Sequence, residues 1–144
     1  MKKFKKLILA AAVVILAIVG VSTPASAALG STAVKMDSSF AYGGTAYIHT
    51  SQDGSNIYST YEAAYDSYVY VKLSVQVYES GTWRTVETKS GYARKAWGEN
   101  QKFNATFYNY STAGTRTFRI RASIYDWYDT SYLMQTAYSA TWTR

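Results

Sequence analysis

His49 is the only histidine in the chain, and so the first residue to weigh for proton transfer near neutral pH. It alternates along Ala46-Tyr47-Ile48-His49-Thr50, sharing a face with Tyr47. A general base needs convergent partners, and none is marked by the adjacent sequence, so His49 reads as an ordinary strand-surface residue. Serine and threonine are abundant, yet no G-x-S-x-G frame surrounds any of them. Asp126 and Asp129 flank Trp127-Tyr128; glycosidases place two carboxylates about a sugar bond, but two aspartates on one short loop read as turn formers. Asp53-Gly54-Ser55-Asn56 offers too few oxygens for a calcium loop and reads as a turn. No glycine-rich phosphate loop is present. One histidine and no cysteine leave too few soft ligands for zinc or iron. The expectation is a non-enzyme with no catalytic residue, no cofactor and no metal.

Aromatic side chains carry more information. The chain has fifteen tyrosines and four tryptophans. Tyr68, Tyr70, Tyr78 and Trp83 are predicted on the solvent side of two adjacent strands, where flat rings can stack on sugars or on a protein partner. Tyr125, Trp127 and Tyr128 are predicted in and beside a loop at one end of the domain, where binding loops gather. Cross-strand aromatic pairs also stabilise sheets by roughly 0.2–1 kcal/mol each, so a structural role stands beside the binding role. Arg119 and Arg121, with Arg116 before them, form an outward basic stripe, while Lys89, Arg94, Lys95 and Lys102 surround Trp97. Such interleaving suits an anionic wall polymer, lipid headgroups or single-stranded nucleic acid. It equally keeps a sheet soluble and its edges unpaired.

The elements that must hold these residues are strands. In Tyr68 to Tyr78, Val69, Val71, Leu73, Val75 and Val77 point one way, and Tyr68, Tyr70, Lys72, Ser74, Gln76 and Tyr78 the other. In Thr117 to Tyr125, Phe118, Ile120, Ala122 and Ile124 face in. Phe103, Ala105 and Phe107 mark a third strand. Ser80-Gly81 predicts a two-residue hairpin turn that sets Tyr78 opposite Trp83, Val75 opposite Val86 and Arg84 opposite Val77. Asp53-Gly54, Gly43-Gly44 and Ala113-Gly114 mark other turns. Ala33 to Phe40 and Thr45 to Ser51 are weaker strands, and Asn56 to Asp66 reads as a short strand plus loop. The last strand spans roughly Leu133 to Thr143, with Met134, Tyr138, Ala140 and Trp142 facing in.

About seven short strands with turns between them describe an all-β fold, a single antiparallel β-sandwich of immunoglobulin-like type, with a small β-barrel as the alternative. The segment Ala113-Gly114-Thr115-Arg116-Thr117-Phe118-Arg119-Ile120-Arg121-Ala122 resembles the run into the penultimate strand of immunoglobulin-like and fibronectin-type-III-like bacterial domains. Over Tyr68 to Ala140 the layout is similar to small secreted proteins of Gram-positive bacteria with no assigned activity. Arg116 stands where the immunoglobulin pattern prefers tyrosine, and the cysteine pair is missing. The resemblance implies a fold and carries no function.

Ahead of this domain, Lys2, Lys3, Lys5 and Lys6 precede an apolar run from Leu7 to Val21, then Ser22-Thr23-Pro24 and Ala25-Ser26-Ala27. A charged start, an apolar middle and small residues at the end form a cleavable secretory signal, read as a helix over 1–27 and cut after Ala27. The run falls short of the about 20 residues that span a bilayer. The domain is then 28–144. Removing the four signal lysines takes the net charge from +6 to +2, which weakens any nucleic-acid reading. The chain therefore reads as a secreted, extracellular binding protein that meets a cell-wall polymer or surface protein through exposed aromatics. No nucleic-acid partner and no membrane segment after cleavage are expected. The alternative is an exported antibacterial, bacteriocin-like or toxin-like protein acting on a cell envelope.

Overall fold

The computed structural model describes residues 29–38 and 44–144; the signal segment 1–27, Phe40 and Gly43 lie outside the described residues. Ten strands follow in chain order: β1 (Ser31–Lys35), β2 (Thr45–Asp53), β3 (Asn56–Glu62), β4 (Ser67–Glu79), β5 (Thr82–Ala96), β6 (Glu99–Gln101), β7 (Phe103–Phe107), β8 (Thr117–Asp126), β9 (Leu133–Tyr138) and β10 (Trp142–Thr143). They form two packed antiparallel sheets and no closed barrel, which settles the architecture as a sandwich. Sheet I has the order β1-β2-β3-β7. Sheet II runs β6-β5-β4-β8, and the far edge of β8 carries β9 and then β10.

The core is built by alternation. Val69, Val71, Leu73 and Val75 of β4 are fully buried, and Ile120, Ala122 and Ile124 of β8 lie beside them. Ala46 and Ile48 of β2, Ile57 and Tyr61 of β3, and Ala105 and Phe107 of β7 face them from sheet I. Each Val, Leu, Ile or Phe so buried contributes roughly 1.5–3 kcal/mol, so the two facing rows hold the sheets together. Asn56 to Glu62 is a strand throughout, with Ile57, Ser59 and Tyr61 pointing in. Tyr61 is one tyrosine that belongs to the interior; its hydroxyl meets Met36 Sδ at 3.8 Å, and burial pushes its pKa up.

Sheet II has a one-residue shift between Ile124 and Tyr125, where β9 skips Met134, and two others that overturn expected facings. The Ser80-Gly81 turn has φ of 51° and 81°, the positive pair of a type I′ hairpin, and Tyr78 lies opposite Trp83 and Arg84 opposite Val77 as expected. A bulge then intervenes: Gln76 pairs with Thr85, but Val75 pairs with Glu87. Val86 is the extra residue, and it is 44% exposed instead of buried against Val75. Beyond the bulge the faces of β5 exchange, which brings Tyr92 outward opposite Tyr70. The second shift splits the last strand. Tyr138 pairs with Arg121, whereas Trp142 pairs with Phe118, one residue out of step. Ala137, Ser139 and Trp142 therefore face in, while Tyr138 and Ala140 are exposed.

Gly91, on β5 opposite Val71, allows a close approach between the sheets: a Cβ there would overlap the Phe103 ring of β7. This contact is where β5 leans towards sheet I and carries Lys95 to Glu62.

Candidate functional site

The outer face of sheet II gathers almost every aromatic residue singled out in the sequence. Three strands set its rows, because Tyr70 lies between Tyr92 on β5 and Tyr125 on β8. The ring centroids of Tyr70 are 5.0 Å from Tyr92 and 6.1 Å from Tyr125. Trp127 folds back from the loop after β8, 4.7 Å from Tyr92 and edge-on to Tyr68 at 5.9 Å. Five rings from three strands and one loop thus form one continuous cluster. Asp126 makes the fold-back: its Oδ1 accepts the N–H groups of Tyr128 at 2.8 Å and Asp129 at 2.9 Å. Asp129 Oδ1 accepts the Ser131 N–H and hydroxyl, which hold its carboxyl below the usual carboxylate range. Both aspartates form turns, as expected of residues that hydrogen-bond their own backbone. Tyr128 stands away from the cluster and is 92% exposed.

A second aromatic group lies at the hairpin end of the same face. Tyr78 and Trp83 are 5.2 Å apart. The Arg119 guanidinium sits between Trp83, at 4.1 Å, and Tyr138, at 4.0 Å. Its Nε donates to Gln76 Oε1 at 2.8 Å, and Gln76 Nε2 donates to Thr85 Oγ1 at 3.0 Å. Gln76 and Ser74 point outward but are buried, because flanking side chains of β5 and β8 cover this central strand. Between the two groups run Lys72, whose Nζ lies 4.8 Å over the Tyr125 ring, and Arg121.

The predicted site residues Tyr68, Tyr70, Tyr125 and Trp127 come together in the first group, and Tyr78, Trp83 and Arg119 in the second. Arg121 lies between them, and Tyr128 stands apart. Sequence reasoning missed Tyr92 and Tyr138, since both change sides at the one-residue shifts. For Tyr92 the signal was local: Gly91 and Ala93 on either side of it are small residues fit for the inner face.

The basic residues near Trp97 are arranged differently. Trp97 is 91% exposed, but Arg94 pairs with Glu99, and Lys89 lies near Glu87 and over Phe107 and Tyr108. Lys95 and Lys102 both pair with Glu62, at 2.7 and 3.2 Å. Glu62 also accepts from Asn100 Nδ2 at 3.2 Å and meets His49 Nε2 at 3.2 Å. The Lys95 ammonium beside it, helped by the other donors, holds its carboxyl down at about 2.

His49 Nδ1 lies 2.6 Å from Ser31 Oγ. An ionised carboxylate only accepts, so Nε2 carries the proton and Nδ1 accepts the Ser31 hydroxyl. The result is a hydroxyl–imidazole–carboxylate line, the order in which a serine nucleophile is activated. It lies across the solvent face of three adjacent strands, and its carboxylate is shared with two lysines. Among the described residues no group of three or more His, Cys, Asp or Glu side chains could hold a metal ion. No described helix is long and apolar enough to cross a membrane.

No family model, curated protein or solved structure matches the chain, so its functional reading rests on its own geometry.

Proposed function

We propose that this protein is a secreted, non-enzymatic binding module that takes an extracellular or cell-surface polymer or protein on the outer face of sheet II. One observation carries the reading. The rings of Tyr68, Tyr70, Tyr92, Tyr125 and Trp127 form a connected cluster on a sheet face, with Tyr68 42% and Tyr92 41% exposed. Rings that served only to stabilise β4 against its neighbours would need pairwise contacts across strands. This cluster goes further, because a loop residue closes it and an isolated tyrosine, Tyr128, projects beside it. Rigid aromatic side chains supply large contact area at little cost in rotamer entropy, which suits a preformed recognition surface. Export is supported by the three-part pattern over residues 1–27.

The experiment is sedimentation of the purified protein with whole cells and with isolated wall fractions. Retention on one of these, weakened at least tenfold by Tyr68→Ala combined with Tyr92→Ala, is the expected result. Retention unchanged by that double variant, with its fold intact by circular dichroism, would remove the sheet II face from the reading.

A further inference from the structure

Of the eleven lysines and arginines among the described residues, six meet a glutamate, three stand on the outer face of sheet II, and the other two lie off that face, Lys35 on β1 of sheet I and Arg144 at the Gly54 carbonyl. Arg84, Lys89, Arg94, Lys95, Lys102 and Arg116 each lie within 4.0 Å of a glutamate oxygen. Lys72, Arg119 and Arg121 have no carboxylate partner among the described residues, and all three share the outer face of sheet II. Rings hold two of them instead: Tyr125 lies under Lys72, and Trp83 and Tyr138 enclose Arg119. No described carboxylate points outward in the rows between Tyr70 and Tyr78, for Glu87 is turned inward opposite Val75 and accepts from Tyr110. Six cations elsewhere are met by glutamate, and on this face three together are left available.

We infer that the ligand of this face is a linear polysaccharide bearing carboxylates, seated along β4 with its sugars stacked on the two ring clusters and its acid groups on Lys72, Arg119 and Arg121. The inference rests on the binding reading above and names the class of polymer. The eight residue steps from Tyr70 to Tyr78 extend about 27 Å at the rise of an antiparallel strand, long enough for several sugars in a row. Aromatic groups at both ends ask for flat apolar faces, which pyranose rings have and a polyol phosphate chain lacks. The hairpin end also asks for a planar, bidentate acceptor, because the Arg119 guanidinium, packed on two rings and anchored through Nε, has its two terminal nitrogens fixed in direction. Pre-ordering of Arg119 by Gln76 removes entropy that binding would otherwise have to supply. A single-stranded nucleic acid offers rings and charge as well, and it is the competitor to test.

The test measures binding of the purified protein to polygalacturonate, alginate and hyaluronate, to fully methyl-esterified polygalacturonate, and to a single-stranded DNA oligonucleotide. The expected result is binding to at least one carboxylated polymer, weakened tenfold or more by 0.5 M salt and by Lys72→Gln with Arg121→Gln. The ester should bind at least tenfold more weakly than the acid and be indifferent to that double variant. Equal binding of acid and ester, with the double variant unaffected, would overturn the carboxylate while leaving the aromatic reading in place. Absence of binding to every carboxylated polymer would overturn the inference even if wall fractions still retain the protein. Tighter binding to the oligonucleotide than to any polysaccharide would overturn it in favour of nucleic acid.

Discussion

The outer faces of the two sheets carry their cations in opposite ways. Where the sheets meet beside β3, Glu62 gathers Lys95, Lys102, Asn100 and His49 and ties residues of β5, β6 and β2 to one carboxylate. On sheet II, Lys72, Arg119 and Arg121 sit among rings with no acid to answer them. A carboxylate that collects several donors contributes to holding the fold, whereas a cation over a ring keeps most of its charge for something else. Stability and recognition are therefore expected to separate by face when charges are removed one side at a time.

The largest stability effects should come from the Glu62 side, where Glu62→Gln and Gly91→Ala both act. The Glu62 carboxyl is depressed from an ordinary 4.5 to about 2. The stabilisation this represents is complete above about pH 4.5 and is lost as pH falls towards 2. The lysines that lower it are themselves 30% and 42% exposed, so solvent screening limits the contribution to about 1–2 kcal/mol. Glu62→Gln should lower stability by that amount at pH 7 in urea denaturation and flatten the acid limb below pH 4.5. An unchanged acid limb would show that Glu62 does not carry the contrast.

Gly91→Ala tests the close approach that brings Lys95 to Glu62. Its added methyl would push into Phe103, with a cost of about 1–3 kcal/mol read as a lower melting temperature. A neutral result would mean that the half-buried ring yields freely. On sheet II, Trp127→Ala removes two ring contacts and should cost about 1 kcal/mol as well as weakening retention on wall material. Tyr128→Ala should leave stability within about 0.5 kcal/mol, so any loss of retention there belongs to the ligand contact. The smallest stability effect is expected for Lys72→Gln with Arg121→Gln, again within about 0.5 kcal/mol in urea. A drop as large as that of Glu62→Gln would make these two cations structural and dissolve the comparison.

Much of this was legible in the sequence, for particular reasons. Valine at every second position from Val69 to Val77 defines an inner face whatever else the chain does, and tyrosine, lysine and glutamine in the alternate places define the outer one. The hairpin at Ser80-Gly81 followed from a serine–glycine pair, a turn signal, set between two alternating runs. What escaped were the consequences of one extra residue. Val86 was expected inside, and Tyr138 and Ala140 with it, because a period of two has no way to announce a bulge. The same slips concealed Tyr92 and Tyr138 as members of the aromatic face. The partners of His49 escaped for another reason: Ser31 and Glu62 lie on different strands, and register alone brings them to either side of one imidazole.

By itself the sequence determined that this would be an all-β domain with an apolar interior and an aromatic, basic exterior, since alternation and turn chemistry act over a few residues at a time. Tertiary structure alone decided which charges are answered. Pairing depends on which strand lies beside which: the unbroken β4–β8 register sets Tyr125 under Lys72, and the hairpin and the out-of-step last strand bring Trp83 and Tyr138, not carboxylates, to Arg119. Local pattern sets the face a side chain takes, and long-range packing sets the company it keeps there.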